Sequence, residues 1–247
     1  MTTPISAALR SELAPTGKLR AGLNRANFLL VNRDSAPGDP RGVAPDLARE
    51  LGKRLGVPVD FVSYGSPGDL AEAARSGAWD VAFLGAEPAR ATEIEFSPAY
   101  AEIECTYLVP PGSPLYAIAD VDREGVRISV SARSAYDLYL SRTVKNARLV
   151  RSDGLDASFE RFVAEKLDAL AGLRPRLVAD VQKLPGARVL EGRFTEVQQA
   201  VGTPKGRTAG ARYLREFVEE MKASGFIARA IERHNAHGLS VAPAAQR

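Results

Sequence analysis

The chain is poor in the residues that hold metals and disulfides. Its 247 residues include one cysteine, Cys105, and two histidines, His234 and His237. A lone cysteine makes no internal disulfide and cannot build a Cys-based zinc cluster. The two histidines stand three apart near the end of the chain, with no evident carboxylate partner, and are not expected to hold a metal. An excess of one charge sign is also missing. Lys and Arg number 33 against 30 Asp and Glu, a net charge of +3, with both signs interleaved. That excludes the basic footprint of a protein that lives on nucleic acid. No run approaches the roughly 20 apolar residues of a membrane helix. Met1 to Gly17 lacks the apolar stretch of a secretory signal. As it stands the sequence therefore reads as a chain without an export signal. The expected location is cytoplasmic, or periplasmic if the chain is a trimmed mature form.

What is present is enough apolar sequence, 45%, to build a core. At roughly 150 residues per domain, the length fits one large domain or two small ones. The periodicity then alternates. Leu19, Ala21 and Leu23 share one face of a strand, and Val43, Leu47, Leu51 and Leu55 recur every fourth residue, the spacing of a helix. Gly56 sits where such a helix stops. Val57–Ser63 is expected as a strand, Leu70–Ser76 as a helix and Trp79–Gly85 as a buried strand. A strand over 99–109 follows. The pattern restarts with strands at 126–130, 147–151 and 167–173, separated by helices at 132–142 and 155–165. A helix over 176–183, a short strand at 189–190 and a strand over 197–202 complete the second unit. Helices over 208–223 and 226–233 follow with no strand after residue 202, and the tail from His237 is expected to fray. This alternation is that of an α/β protein with mostly parallel sheets.

The order of local motifs resembles the family-3 bacterial solute-binding proteins, the polar-amino-acid-binding components of ABC importers. Gly17-Lys18-Leu19-Arg20-Ala21-Gly22 is similar to the family's opening strand. Gly42-Val43-Ala44-Pro45-Asp46-Leu47-Ala48 is similar to its G-F-D-x-D-L-A stretch, and Leu55-Gly56-Val57 to its second element. Ser76-Gly77-Ala78-Trp79-Asp80-Val81 resembles its S-G-K-x-D-V turn. Pro88-Ala89-Arg90 and Ile94-Glu95-Phe96-Ser97-Pro98-Ala99-Tyr100 resemble its T-P-E-R and I-D-F-S-x-P-Y segments. Met221-Lys222-Ala223-Ser224-Gly225-Phe226-Ile227 resembles its K-x-D-G-T segment. The resemblance implies the type II periplasmic-binding-protein-like fold, two α/β lobes joined by two hinge strands. Residues 1–108 plus 201–247 would form lobe 1 and 109–200 lobe 2, with a ligand cleft closed by hinge motion.

The resemblance also carries site residues over. Arg90 matches the arginine that pairs with a ligand carboxylate, and a guanidinium fork suits that role; a surface arginine beside Glu87 and Glu93 is the bland reading. Gly85-Ala86-Glu87-Pro88-Ala89-Arg90 is shorter than the family loop and lacks its hydroxyls, so Glu87 either faces a ligand donor or pairs with an arginine. Asn24, Asn27 and Phe28 follow the first strand, where the family places ligand contacts; a turn or core role is the alternative. Ser131, Arg133 and Ser134 open a helix after a strand, with Arg133 where the family has glycine. Ser134 would serve an anion at the helix start, or be an N-cap, or both. Asp168-Ala169 matches the family's D-A. Five residues on, amino-acid binders carry an Asp for the ligand ammonium, and this chain has Leu173, then Arg174. Because a buried ammonium without a carboxylate is costly, Arg174 near the cleft points to an anionic ligand, unless it simply starts a helix before Pro175.

The leading expectation is a non-catalytic solute-binding protein for a small anionic or carboxylate-bearing metabolite, without a cofactor. It would act as a monomer, with an ABC permease as partner where transport is retained. Neither nucleic acid nor membrane insertion is expected. Two alternatives stand beside it: a dehydratase-like enzyme with Glu87 as its general acid, and a cytoplasmic ligand sensor on the same clamshell. Trp79, Tyr100 and Tyr107 are expected in the core or hinge, and Cys105 buried and inert. Thr203-Pro204-Lys205-Gly206-Arg207 lacks P-loop spacing and reads as a loop.

Overall fold

A computed structural model describes residues 5–32, 34–36 and 38–246. The chain divides into two compact units, one formed by Met1–Glu102 with Gln198–Arg247 and the other by Ile103–Val197.

In the first unit a short helix α1 (Ala7–Leu13) leads to strand β1 (Leu19–Asn24). Helix α2 (Val43–Leu55), strand β2 (Val59–Tyr64), helix α3 (Pro67–Glu72) and strand β3 (Val81–Gly85) follow. β1 pairs in parallel with β2 on one side and with β3 on the other. The central strands β1 and β3 are almost continuously buried, whereas the edge strand β2 is only partly so, the difference expected for a parallel sheet covered on both faces. α2 lies with Val43, Leu47, Leu51 and Leu55 fully buried. It begins at Gly42, whose φ of 136° excludes ordinary side chains. α3 starts three residues earlier than the periodicity suggests, because Ser66 caps it and Pro67 opens it. The buried Trp79 donates its indole N–H to the Leu70 carbonyl at 2.9 Å, tying α3 to the turn before β3.

Strand β4 (Ile94–Val109) passes from the first unit into the second. It starts five residues before the expected position, since Pro98 is accommodated inside the strand rather than breaking it. The second unit continues with β5 (Arg127–Ser131), α4 (Ala135–Thr143), β6 (Arg148–Ser152), α5 (Leu155–Ala164), β7 (Ala169–Leu173), α6 (Arg174–Val181) and the two-residue β8 (Arg188–Val189). β5 again lies between two parallel neighbours, β6 and β7. β7 is antiparallel to β4, with Cys105 opposite Leu173.

Strand β9 (Thr195–Pro204) carries the chain back, and pairs antiparallel with β3 from Ala82–Gly202 to Gly85–Gln199. Helices α7 (Thr208–Ala223) and α8 (Phe226–Arg233) belong to the first unit. The expected frayed tail is not found. Leu239–Val241 forms a strand, β10, which pairs with β4, and the Ala242 N–H reaches the Tyr100 carbonyl at 3.2 Å. Three residues with one buried leucine are too few to show an alternating pattern, so this strand has no signature in the sequence.

Candidate ligand-binding site

Both units use the same strand order, a first strand flanked by the second on one side and the third on the other. In such sheets the chain reverses direction across the first strand, and the loops at the carboxyl ends of the first and third strands part to leave a binding site. The candidate residues gather at these ends. Asn24, Asn27, Phe28, Gly85, Glu87 and Arg90 follow β1 and β3 in the first unit. Ser131, Arg133, Ser134 and Arg174 follow β5 and β7 in the second.

In the first unit the two asparagines are buried. The Asn24 side-chain oxygen accepts the Ala26 N–H at 3.1 Å, and that of Asn27 accepts the Leu29 N–H at 3.2 Å. Each oxygen is thus spent on a local turn, which fixes the orientation of the amide. Their Nδ2 groups make no hydrogen bond to the described residues, so each amide holds N–H donors for a partner. Phe28 is half-buried. Gly85 ends β3, and its carbonyl accepts from Arg90 Nη1 at 2.7 Å. The Glu87 carbonyl accepts the N–H groups of Arg90 and Ala91, which makes the tight turn that folds Arg90 back toward the strand end. Arg90 is 6% exposed. Burial pushes its pKa down to about 10, with the Glu87 carboxylate pulling it back up, and the group stays charged at neutral pH.

In the second unit Ser134 is the N-cap of α4, its Oγ accepting the Asp137 N–H at 3.0 Å. The buried Asp137 returns the bond one residue further out, accepting the Arg133 N–H at 2.8 Å, and its other oxygen takes Arg151 Nε at 2.9 Å. Arg133 has φ of 58°, the left-handed region, which explains why glycine suits this position in the family it resembles. Its side chain is exposed. Ser131 ends β5 and is buried, its carbonyl accepting the Ser134 N–H at 3.3 Å.

Arg174 does not stand as an uncommitted cation. It is the first residue of α6, and its Nε meets Glu104 Oε2 at 2.7 Å. Its other nitrogens donate to the carbonyls of Leu190 and Gly192. Spacing gives no sign of this, because Glu104 lies 70 positions away on β4. Leu173, the residue before it, is buried and presents no charge. Asp137 and Arg151 were likewise not singled out. The Ser134–Asp137 spacing is a capping-box signature that does reveal the first of them, and nothing local reveals the second. Outside these clusters, His234 has a carboxylate neighbour that spacing did not disclose, Asp46 at 2.8 Å. No cluster of potential metal ligands occurs among the described residues.

The fold is similar to that of solved amino-acid-binding proteins. A mutant of ArgBP from T. maritima shares 22% identity over 93% of this chain and 100% of that one, with a TM-score of 0.75. An amino acid ABC transporter substrate-binding protein, AbpA, from Streptococcus pneumoniae, bound to L-arginine, shares 18% identity over 91% of this chain and 97% of that one, with a TM-score of 0.73. An ancestral amino acid-binding protein described as a precursor of cyclohexadienyl dehydratase shares 21% identity over 92% and 99%, also with a TM-score of 0.73. A search of curated proteins finds no match. These likenesses identify the type II periplasmic-binding-protein-like fold. The model of the bacterial extracellular solute-binding proteins, family 3, matches residues 24–237, nearly the whole chain from the end of β1 to beyond α8, and the chain belongs to that family.

Proposed function

We propose that this solute-binding protein takes a small carboxylate-bearing metabolite, recognised first by the residues at the carboxyl end of its first unit. The observation that carries the reading is the donor-rich end of the first unit. Arg90 is buried and charged there, and the turn bonds fix the asparagine amides with their N–H donors unused by the described residues. A buried guanidinium favours a carboxylate, which meets it in two charge-assisted bonds. In the second unit Leu173 stands where the resemblance expects a carboxylate for an amino-acid ammonium. The anionic preference rests on Arg90 and Leu173 rather than on Arg174, whose charge Glu104 offsets. In the second unit Ser134 and the start of α4 are the polar groups at the corresponding strand end.

We read the protein as non-catalytic, delivering its solute to an ABC permease on the outer side of the cytoplasmic membrane, as the family's description as extracellular suggests. No helix among the described residues is long and apolar enough to cross a membrane. Thermal-shift screening of carboxylic acids against α-amino acids tests the reading. Carboxylic acids lacking an amine are expected to give the larger shifts, abolished in Arg90→Ala. Strongest stabilisation by an α-amino acid such as L-arginine, retained in Arg90→Ala, overturns it. Turnover of a prephenate-like acid that disappears in Glu87→Gln would instead favour the dehydratase reading.

A further inference from the structure

Arg25 is absent from the motifs that carry the family resemblance, yet it lies at the centre of the first unit's carboxyl end. It follows the last residue of β1, and its N–H still bonds the Tyr64 carbonyl at 3.0 Å, so the residue remains locked in the sheet. On the other side β1 runs in register with β3, Leu23 beside Phe83. That pairing ends at Leu23 and Phe83, so Arg25 and Gly85 each lie two residues past it, at the carboxyl ends of neighbouring strands. The Gly85 carbonyl is the group to which Arg90 turns back its guanidinium. Two arginines therefore serve adjacent strand ends.

The Arg25 guanidinium is only partly committed. Nη2 donates to the Ser35 carbonyl at 2.9 Å. Nη1 is shielded from water and has no hydrogen-bond partner. No carboxylate among the described residues pairs with the side chain. A buried donor on a charged group is costly to leave unmade, and such an orphan in a native fold calls for a physical reason. Pinning the Ser35 loop accounts for one nitrogen and leaves the other unexplained. A second anionic acceptor from the solute accounts for it.

We propose that Arg25 recognises a second carboxylate of the solute, and hence that the solute is a small dicarboxylate. This rests on the reading that Arg90 takes the first carboxylate. The Ser35 loop must shift for a solute group to reach Nη1. On that loop Asp34, Ala36, Gly38 and Asp39 are exposed, whereas Ser35 and Pro40 are buried and Asp39 pairs with Arg49.

The test uses the whole chain and calorimetric titration with succinate, glutarate and adipate, each against the monocarboxylate of equal length. At least one diacid is expected to bind about tenfold or more tightly than its monocarboxylate, the size of one charge-assisted bond. Arg25→Gln, which keeps a donor for Ser35 but no charge, should bring the pair to within about twofold, the bond's contribution being lost. Monocarboxylate affinity and melting temperature should stay near wild type. Arg25→Lys should restore part of the preference, and it serves if the Gln variant fails to fold. Equal binding of diacid and monoacid by the wild type overturns the proposal while leaving the carboxylate reading intact, as does a parallel loss of both acids in Arg25→Gln. Absence of binding by every carboxylate overturns both.

Discussion

Asp80 and Arg20 clasp each other at the start of β3 and β1. The buried carboxylate accepts the Arg20 N–H at 3.0 Å and its Nε and Nη2 at 3.0 and 2.8 Å, and the Asp80 N–H returns to the Arg20 carbonyl. The second unit repeats the arrangement with Asp168 and Arg127, at 2.8 Å to the main-chain N–H and 3.2 Å to Nε. In each unit the clasp sets the first strand against the third, and so sets the two strand ends that carry the candidate site.

The two clasps differ in burial, which decides their worth. The Asp80 side chain is fully buried and also meets Arg207, whereas that of Asp168 is 38% exposed. Removing one partner of a buried pair leaves the other charge uncompensated. Asp80→Ala is expected to cost about 3 kcal/mol or more, and Asp168→Ala about 1 kcal/mol, since exposed pairs contribute little. Chemical denaturation of the two variants measures the difference. Equal losses would show that burial does not set the value of the clasp.

The sequence exposes these clasps only in part. Both aspartates stand in recognisable family motifs, and the helical spacing of α2 is plain because its apolar residues recur every fourth position. Short or side-chain-made features are hidden. β10 has three residues, and the Arg174–Glu104 pair joins positions distant along the chain. Arg90 and Ser134 are legible as site candidates because a motif marks them. Arg25 is not, because its interest comes from an orphaned nitrogen that no spacing encodes.

Gly42 marks a backbone limit beside the candidate site. Its φ is 136°, and a Cβ there would run into the carbonyl oxygen of Leu30. The clash is with main chain, so no side chain can swing away to relieve it. Gly42→Ala is expected to lose about 2 kcal/mol or more from strain at a glycine-only conformation. Its thermal unfolding should be compared with that of Gly65→Ala, where a Cβ meets nothing within 4 Å. A Gly42→Ala protein as stable as the Gly65→Ala one would refute the reading.

The forked pair between Arg54 of α2 and Glu220 of α7 predicts an acid response. Two bonds at 2.8 and 2.7 Å join them, and the hydrogen bonds from Arg54 hold the Glu220 pKa below its ordinary 4.5. A depressed carboxylate pKa means that the unfolded state binds protons first as pH falls. The pair's stabilisation is therefore complete above the ordinary value and is lost as pH drops through the lower folded value. The melting-temperature gap between wild type and Glu220→Gln should be constant from pH 6 to 8 and should close in acid. A gap independent of pH down to 3 would assign the contact no ionic contribution.

Leu173 offers a gain-of-function test of solute class. It ends β7 beside Cys105, 6% exposed, just before the Arg174–Glu104 pair. An ammonium brought against this leucine finds no carboxylate at that position, the neighbouring Glu104 being paired with Arg174 and Arg193, and an unpaired buried charge is strongly disfavoured. Leu173→Asp supplies that carboxylate at the position where the family's amino-acid binders carry one. It also buries a polar group in place of a packed side chain, so stability should fall by about 2–4 kcal/mol. If solute class is set here, calorimetry should find α-amino-acid binding, with L-arginine or L-glutamine as probe, in the variant and not in the wild type. The added negative charge should weaken carboxylic-acid binding in the same variant. Amino-acid binding already strong in the wild type, or unchanged in the variant, would show that Leu173 does not choose between the two classes.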